Sequence, residues 1–214
     1  MARVVKLVNV GGRHGRLQVV LDDDSVLELA GILAIGLASG QELSVQDQDV
    51  LRQRDRVEVA YERALNYLSF RPRSETEISR YLVDKEVDQQ VSKEVLARLL
   101  RVGLLDDQAF ARYWVENREA FHPRGKWALR AELRRAGVAT EVIDNVISTV
   151  DEEAGAHRAA QRKAYQMRSC DDREFRRRLL SFLQRRGYSY EVADRVVRCL
   201  RQQVTADDQE ESPN

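Results

Sequence analysis

The side chains suited to acid-base, nucleophilic or metal chemistry are few in this 214-residue sequence, and they stand apart. His14, His122 and His157 fall in unrelated segments, so no pair has the spacing of a helical metal site or a proton relay. Cys170 and Cys199 are 29 residues apart without a CxxC or a histidine partner, and they read as packing thiols. Asp106 and Asp107 are adjacent acids with no histidine or cysteine nearby; following Gly103-Leu-Leu they read as the start of a helix. Gly11, Gly12 and Gly15 make a turn signal, because the GxGxxG pattern and the helix of a dinucleotide site are missing. With no phosphate-binding loop, GxSxG or HExxH string, the sequence predicts no enzyme, no metal and no cofactor.

What remains is the chemistry of contact with anions and rings. Leu129, Leu133 and Ala136 share one helical face, and Trp127 lies nearly opposite beside Arg130 and Arg134, with Arg124 and Lys126 at the start of the same helix. Such a tryptophan either plugs the junction with a neighbouring unit or serves as an interface anchor or base-stacking platform. Over residues 173–186 a helical wheel gathers Phe175, Leu179, Phe182 and Leu183 on one side and Arg173, Arg177, Ser181 and Gln184 on the other. Arg178 and Arg185 flank that stripe, and Arg186 follows them. The stripe is either a solvated face or a contact for phosphates or acidic protein. Arg158, Arg162 and Lys163 either extend it or pair with Glu152 and Glu153. Tyr113 and Trp114 read as core.

The elements that must carry these residues can be read from charge and periodicity. The 35 basic and 35 acidic residues cancel overall, but residues 152–204 hold 13 basic and 7 acidic side chains, a net of +6. Residues 205–214 then hold four acids and no base, and read as a disordered acidic tail or an electrostatic gate for the basic block. No apolar run approaches a membrane span and the first residues lack a signal-peptide pattern, which predicts a soluble cytoplasmic chain. Residues 1–43 carry short β-type runs at Val4–Val10, Leu17–Leu21 and Val26–Leu29, expected to pack on the apolar segment Ile32–Leu37. A helix opens at Ser44, and a 3.6-residue period continues to about residue 203, broken near Pro72 and Pro123.

Within the helical part the sequence repeats. Leu129–Val138 with Val142, Ile143 and Val146 matches Leu179–Tyr188 with Val192, Ala193 and Val196 at a constant offset. A fainter copy starts at Ile78, with Glu86 where glycine stands at 137 and 187. Each copy reads as a helix closed by a left-handed glycine, an apolar contact and a second helix, and each is preceded by another helix. The expected fold is mostly α: three tandem three-helix repeats of about 50 residues in an elongated array, with a small N-terminal β-rich subdomain. The boundaries are 1–43 for the β-rich part, 44–105 for a linking helix and the first unit, 106–153 and 154–204 for the second and third units, and 205–214 for the tail. Ser74-Glu-Thr-Glu77 reads as a capping box.

Four strings occur in order: Ala64-Leu-Asn-Tyr-Leu-Ser-Phe-Arg-Pro-Arg-Ser74-Glu-Thr-Glu-Ile78, Gly103-Leu-Leu-Asp-Asp107-Gln-Ala-Phe-Ala111, Gly125 with Glu132-Leu-Arg-Arg-Ala-Gly137-Val138, and Phe182-Leu-Gln-Arg-Arg-Gly187-Tyr-Ser189. Together they resemble the RecX family of bacterial regulatory proteins over roughly residues 60–200. The resemblance implies a non-enzymatic modulator of the RecA recombinase. It would lie along the helical groove of the RecA filament on single-stranded DNA and hinder filament growth, ATP turnover, strand exchange and co-protease activity. A helical-repeat protein that binds DNA without RecA is the rival expectation. No heptad seam asks for a second copy, so a monomer is expected.

Overall fold

A computed structural model describes residues 1–11 and 15–210, with side chains described to residue 206. The tip of the predicted Gly11–Gly15 turn and the last four residues of the acidic tail lie outside the described residues. The chain divides into two compact units: Met1–Pro72 with Ile78–Leu105, and Arg73–Glu77 with the residues from Asp106 onward.

The first unit begins with strands β1 (Ala2–Gly11), β2 (Arg16–Leu21) and β3 (Val26–Ala30), the helical turn α1 (Gly31–Ala34) and strand β4 (Glu42–Leu43). They form an antiparallel sheet in the order β3-β2-β1-β4. Alternation turns Val4, Val19, Leu21, Leu27 and Leu29 inward against Leu43 and Leu51. β4 is absent from the sequence expectation because two residues show no alternation; it is held where the Val4 N–H donates to the Gln41 carbonyl at 2.9 Å. The segment 32–37 packs only in part: Leu33 and Leu37 reach the sheet, whereas Ile32 and Ile35 are exposed.

Helix α2 (Val45–Leu68) opens on a capping box in which Ser44 and Asp47 satisfy each other's backbone N–H groups. The Ser44 hydroxyl also donates to the Asp47 carboxylate, which holds that carboxyl below its usual range. With neither glycine nor proline between 45 and 68, the linking helix and the first helix of the first module are one continuous rod. Asp55 on this rod accepts from the Ala30 N–H at 2.7 Å and from Arg16 at 2.9 Å, which fastens the sheet to the helix. Helices α3 (Glu75–Asp84) and α4 (Gln89–Arg101) complete the module around Ala64, Ile78, Leu82, Val95 and Leu99. The turn between them puts Glu86 at φ +57°, the left-handed region glycine usually fills.

The second unit holds two more modules. Helices α5 (Asp107–Phe121), α6 (Lys126–Arg135) and α7 (Thr140–Ser148) close on Phe110, Val115, Leu129, Leu133, Ile143 and Ile147. Helices α8 (Glu152–Gln166), α9 (Asp172–Arg185) and α10 (Tyr190–Glu210) close on Ala160, Phe175, Leu179, Leu183, Val196 and Leu200. Side-chain carboxylates of Asp106, Asp151 and Asp171 cap α5, α8 and α9. The module glycines have a second reason to be glycine besides their φ of +83° at 137 and +85° at 187. A Cβ on Gly187 would stand 2.4 Å from the Ala128 Cβ, and one on Gly125 would stand 2.1 Å from the Gly187 carbonyl oxygen. Between these surfaces the Gly125 N–H donates to the Arg186 carbonyl at 2.9 Å.

The segment 73–77 of the same unit repeats that joint at the end of α6. The Ser74 hydroxyl donates to the Ala136 carbonyl at 2.5 Å, and a Cβ on Gly137 would stand 2.2 Å from the Thr76 hydroxyl oxygen. Ser74 closes the expected capping box as well, accepting from the Glu77 N–H at 3.1 Å. Two side chains and one helix end depart from expectation. Tyr113 is exposed, Cys199 is exposed, and α10 continues through Thr205–Glu210, which had read as tail. No helix breaker occurs there before Pro213, and Thr205 bonds back to the Arg201 carbonyl at 3.0 Å. Among the described residues no helix is long and apolar enough to cross a membrane.

Candidate functional site

The joint between α6 and α9 decides what stands beside what. Because the Gly125 N–H is bound to the end of α9, the first turn of α6 lies against the α9–α10 turn. Lys126, Trp127 and Arg130 there surround a cavity of about 430 Å³ with Glu152, Gln184, Gly187, Tyr188 and Ser189. Trp127 is 74% exposed, so it does not plug the junction. Gln184 also borders a second cavity of about 470 Å³, lined by Arg173, Arg176, Arg177, Leu180 and Ser181. The two form adjoining concavities, one with an indole at its rim and one walled by three arginines.

Five of the expected residues line these concavities, Lys126, Trp127 and Arg130 the first and Arg173 and Arg177 the second. Arg173 and Arg177 are exposed, while Arg130 is ion-paired with Asp144 at 2.7 Å. The others line neither cavity. Arg124 is half-buried, 3.9 Å from Glu132, and Arg186 lies over the Phe182 ring at 4.7 Å with a bond to the Pro123 carbonyl at 3.3 Å, so both are joint packing. Lys163 also lies over the Phe182 ring, at 5.4 Å. Arg134 and Arg162 are exposed, Arg178 pairs with Glu174 at 2.6 Å, and Arg185 bonds Ser181. Glu152 and Glu153 do not serve Arg158 or Arg162: Glu152 accepts from the Lys126 N–H at 3.0 Å and Glu153 pairs with Arg195 at 3.2 Å.

Sequence reasoning missed Arg176, although it follows Arg173 by three residues and so shares its side of the helix. Arg176 bonds Asp194 at 2.8 Å and the Tyr190 hydroxyl at 3.1 Å, and the Asp194 bond first of all raises its affinity for its proton. Trp114 is half-buried as expected, donating to Glu132 at 2.8 Å, and Arg118 donates to the same carboxylate at 2.7 Å. Glu132 therefore organises the second module rather than the groove.

The first concavity thus carries Lys126, Arg130, Glu152 and an exposed indole, and the second carries three arginines, of which Arg176 is paired with Asp194. Among the described residues no group of histidine, cysteine, aspartate and glutamate could hold a metal ion. Tyr188 on the lining of the first cavity is buried, its hydroxyl has no hydrogen-bond partner among the described residues, and burial pushes its phenol up to about 12. It stays a neutral phenol at neutral pH.

Tandem three-helix modules joined by glycine contacts define a helical-repeat protein. Residues 60–99, 106–147 and 151–197 match in turn the first, second and third three-helix domains of RecX. The Regulatory protein RecX of Mycobacterium sp. (strain JLS) is 39% identical over 150 residues, 67% of this chain and 82% of that protein. The Regulatory protein RecX of Leuconostoc citreum (strain KM20) is 29% identical over 216 residues, 97% of this chain and 80% of that protein, a match that takes in the β-rich part. A crystal structure of regulatory protein RecX has the same fold with a TM-score of 0.74 at 24% identity, covering 92% of this chain and 98% of that one. The structure of RecX from Lactobacillus salivarius gives a TM-score of 0.61 at 21% identity over 69% of this chain and 97% of that one. The chain belongs to the RecX family of regulatory proteins.

Proposed function

We propose that this protein is a non-enzymatic cytoplasmic regulator that binds the RecA filament on single-stranded DNA along its helical groove. Binding there lowers ATP turnover, strand exchange and co-protease activity. The observation that carries the reading is a pair of concavities that meet at Gln184, one at the α6–α9 joint with exposed Trp127 on its lining and one along α9 lined by Arg173, Arg176 and Arg177. Arginines placed so attract backbone phosphates or acidic protein, and an exposed indole supplies the apolar anchor that dominates many interfaces. Repetition of modules suits a partner that also repeats, since linked weak contacts gain through effective concentration.

The test is RecA's ATP hydrolysis on single-stranded DNA with this protein titrated in, beside a variant carrying Trp127→Ala, Arg173→Ala and Arg177→Ala. Inhibition below one molecule per RecA subunit, weakened about tenfold or more in the variant, supports the reading. Absence of inhibition at excess refutes it.

The same concavities favour a second reading, direct binding of single-stranded DNA without RecA. In that case affinity for bare single strands falls steeply with salt, and each arginine removed makes the slope of log affinity against log salt shallower by about 0.7.

A further inference from the structure

The linkers that precede α3 and α6 share a pattern, Phe70-Arg-Pro72-Arg73 and Phe121-His-Pro123-Arg124, in which every matching residue is 51 positions on. Each phenylalanine stands four residues before its N-cap, Ser74 or Gly125. Both rings are bare: Phe70 is 76% exposed and Phe121 is 71% exposed, and neither belongs to a core cluster. The residue four before the Asp171 cap in the third module is Met167, and it is only 7% exposed. The same place in the repeat can therefore be packed. In the first two modules, whose linkers carry a proline two residues on, the ring is exposed instead.

We infer that Phe70 and Phe121 are a matched pair of anchors, one per module, that insert into equivalent apolar pockets on successive subunits of a polymeric protein partner. This rests on the filament reading above. The charges around the rings favour protein over nucleic acid. Arg71 bonds the Pro72 carbonyl at 2.9 Å and half-buried Arg73 lies 3.9 Å from Glu77. Arg118 and Arg124 both turn to Glu132. The arginines nearest each ring along the chain thus have contacts within the protein, those beside Phe121 with a carboxylate. A base stacked on Phe121 would find both nearest arginines already turned to Glu132, whereas an apolar pocket needs no cation. Periodicity supplies the rest: two anchors at the same repeat position match a surface that presents one pocket again and again.

The experiment measures binding of the full chain to preassembled RecA filaments on single-stranded DNA, and separately to the same DNA without RecA, for the wild type, Phe70→Ala, Phe121→Ala and the double variant. Each single change lowers filament affinity about tenfold and the double change about a hundredfold, with thermal stability and bare-DNA affinity unchanged. Wild-type affinity in the double variant overturns the inference and leaves the filament reading standing. A parallel loss on bare DNA overturns it in favour of base stacking. Failure of the wild type to bind filaments sinks the filament reading, and the paired anchors with it.

Discussion

Gly125→Ala tests the idea that a backbone-to-backbone joint sets the groove. The residue has φ −73° and ψ 160°, a conformation alanine adopts freely, so the substitution carries no dihedral strain. Its new methyl would stand 2.1 Å from the Gly187 carbonyl oxygen, 2.2 Å from that carbonyl carbon and 2.4 Å from the Tyr188 nitrogen. All three are backbone atoms, which cannot swing aside as a side chain would. Relief requires the α6 start and the α9–α10 turn to separate by about 1 Å, at the roughly 1–3 kcal/mol typical of overpacking. The same movement stretches the 2.9 Å bond from the Gly125 N–H to the Arg186 carbonyl, adding about 1 kcal/mol. We expect a loss of about 2–4 kcal/mol in urea unfolding followed by helical circular dichroism, together with weaker action on RecA because Trp127 and Gln184 move apart. Gly103→Ala is the control: at φ +71° with open space around it, it incurs only the left-handed penalty of about 1 kcal/mol. If Gly125→Ala unfolds no more readily than Gly103→Ala, the joint is not the steric lock argued above.

Three further outcomes can be checked on the same instrument. Ser74→Ala removes a helix cap and leaves the Ala136 carbonyl without its 2.5 Å donor, and should lower stability by about 2–3 kcal/mol. Tyr188→Phe deletes a buried hydroxyl with no protein partner, so neutral or higher stability is expected at pH 7, by up to about 1 kcal/mol. Because the folded phenol is pushed up to about 12 from an ordinary 10.0, the folded state keeps a proton the unfolded state has lost. The wild type should therefore hold its full stability below pH 10 and lose it as pH climbs through 12, with the phenylalanine variant flatter across that window. Glu86→Gly relieves a φ of +57° and should raise the unfolding midpoint by an amount worth about 1 kcal/mol.

The sequence made the modules legible because their signals are local. An acidic N-cap, a closing glycine and the apolar residue after it lie within a few positions of the helix they bound, as at Asp106, Gly137 and Val138. The groove was legible only as two unrelated stripes. Their meeting depends on Gly125 touching Arg186 and Gly187 through backbone atoms, and such contacts leave no side-chain pattern to read. Partners distant in sequence were equally hidden: Asp144 takes Arg130, Asp194 takes Arg176, and Glu132 takes Arg118. A helical wheel sorts residues by face but cannot say which exposed charge is already matched. It cannot tell apart the solvent-facing part of a short turn from its packed part either, which is why Ile32 and Ile35 were read with Leu33 and Leu37.

Glu86 also bears on how many modules such a chain can have. At the matching place in the other two copies, Gly137 and Gly187 leave a hollow that Thr76 and Ala128 fill. Glu86 carries a side chain at that place, on the same left-handed backbone. A duplicated module added ahead of the first would meet a stopper where it needs a socket, so growth of the series in that direction first requires a change at this one codon. The repeat thus has a polarity: each module offers a glycine socket to the one before it, and the first has its socket filled by its own side chain.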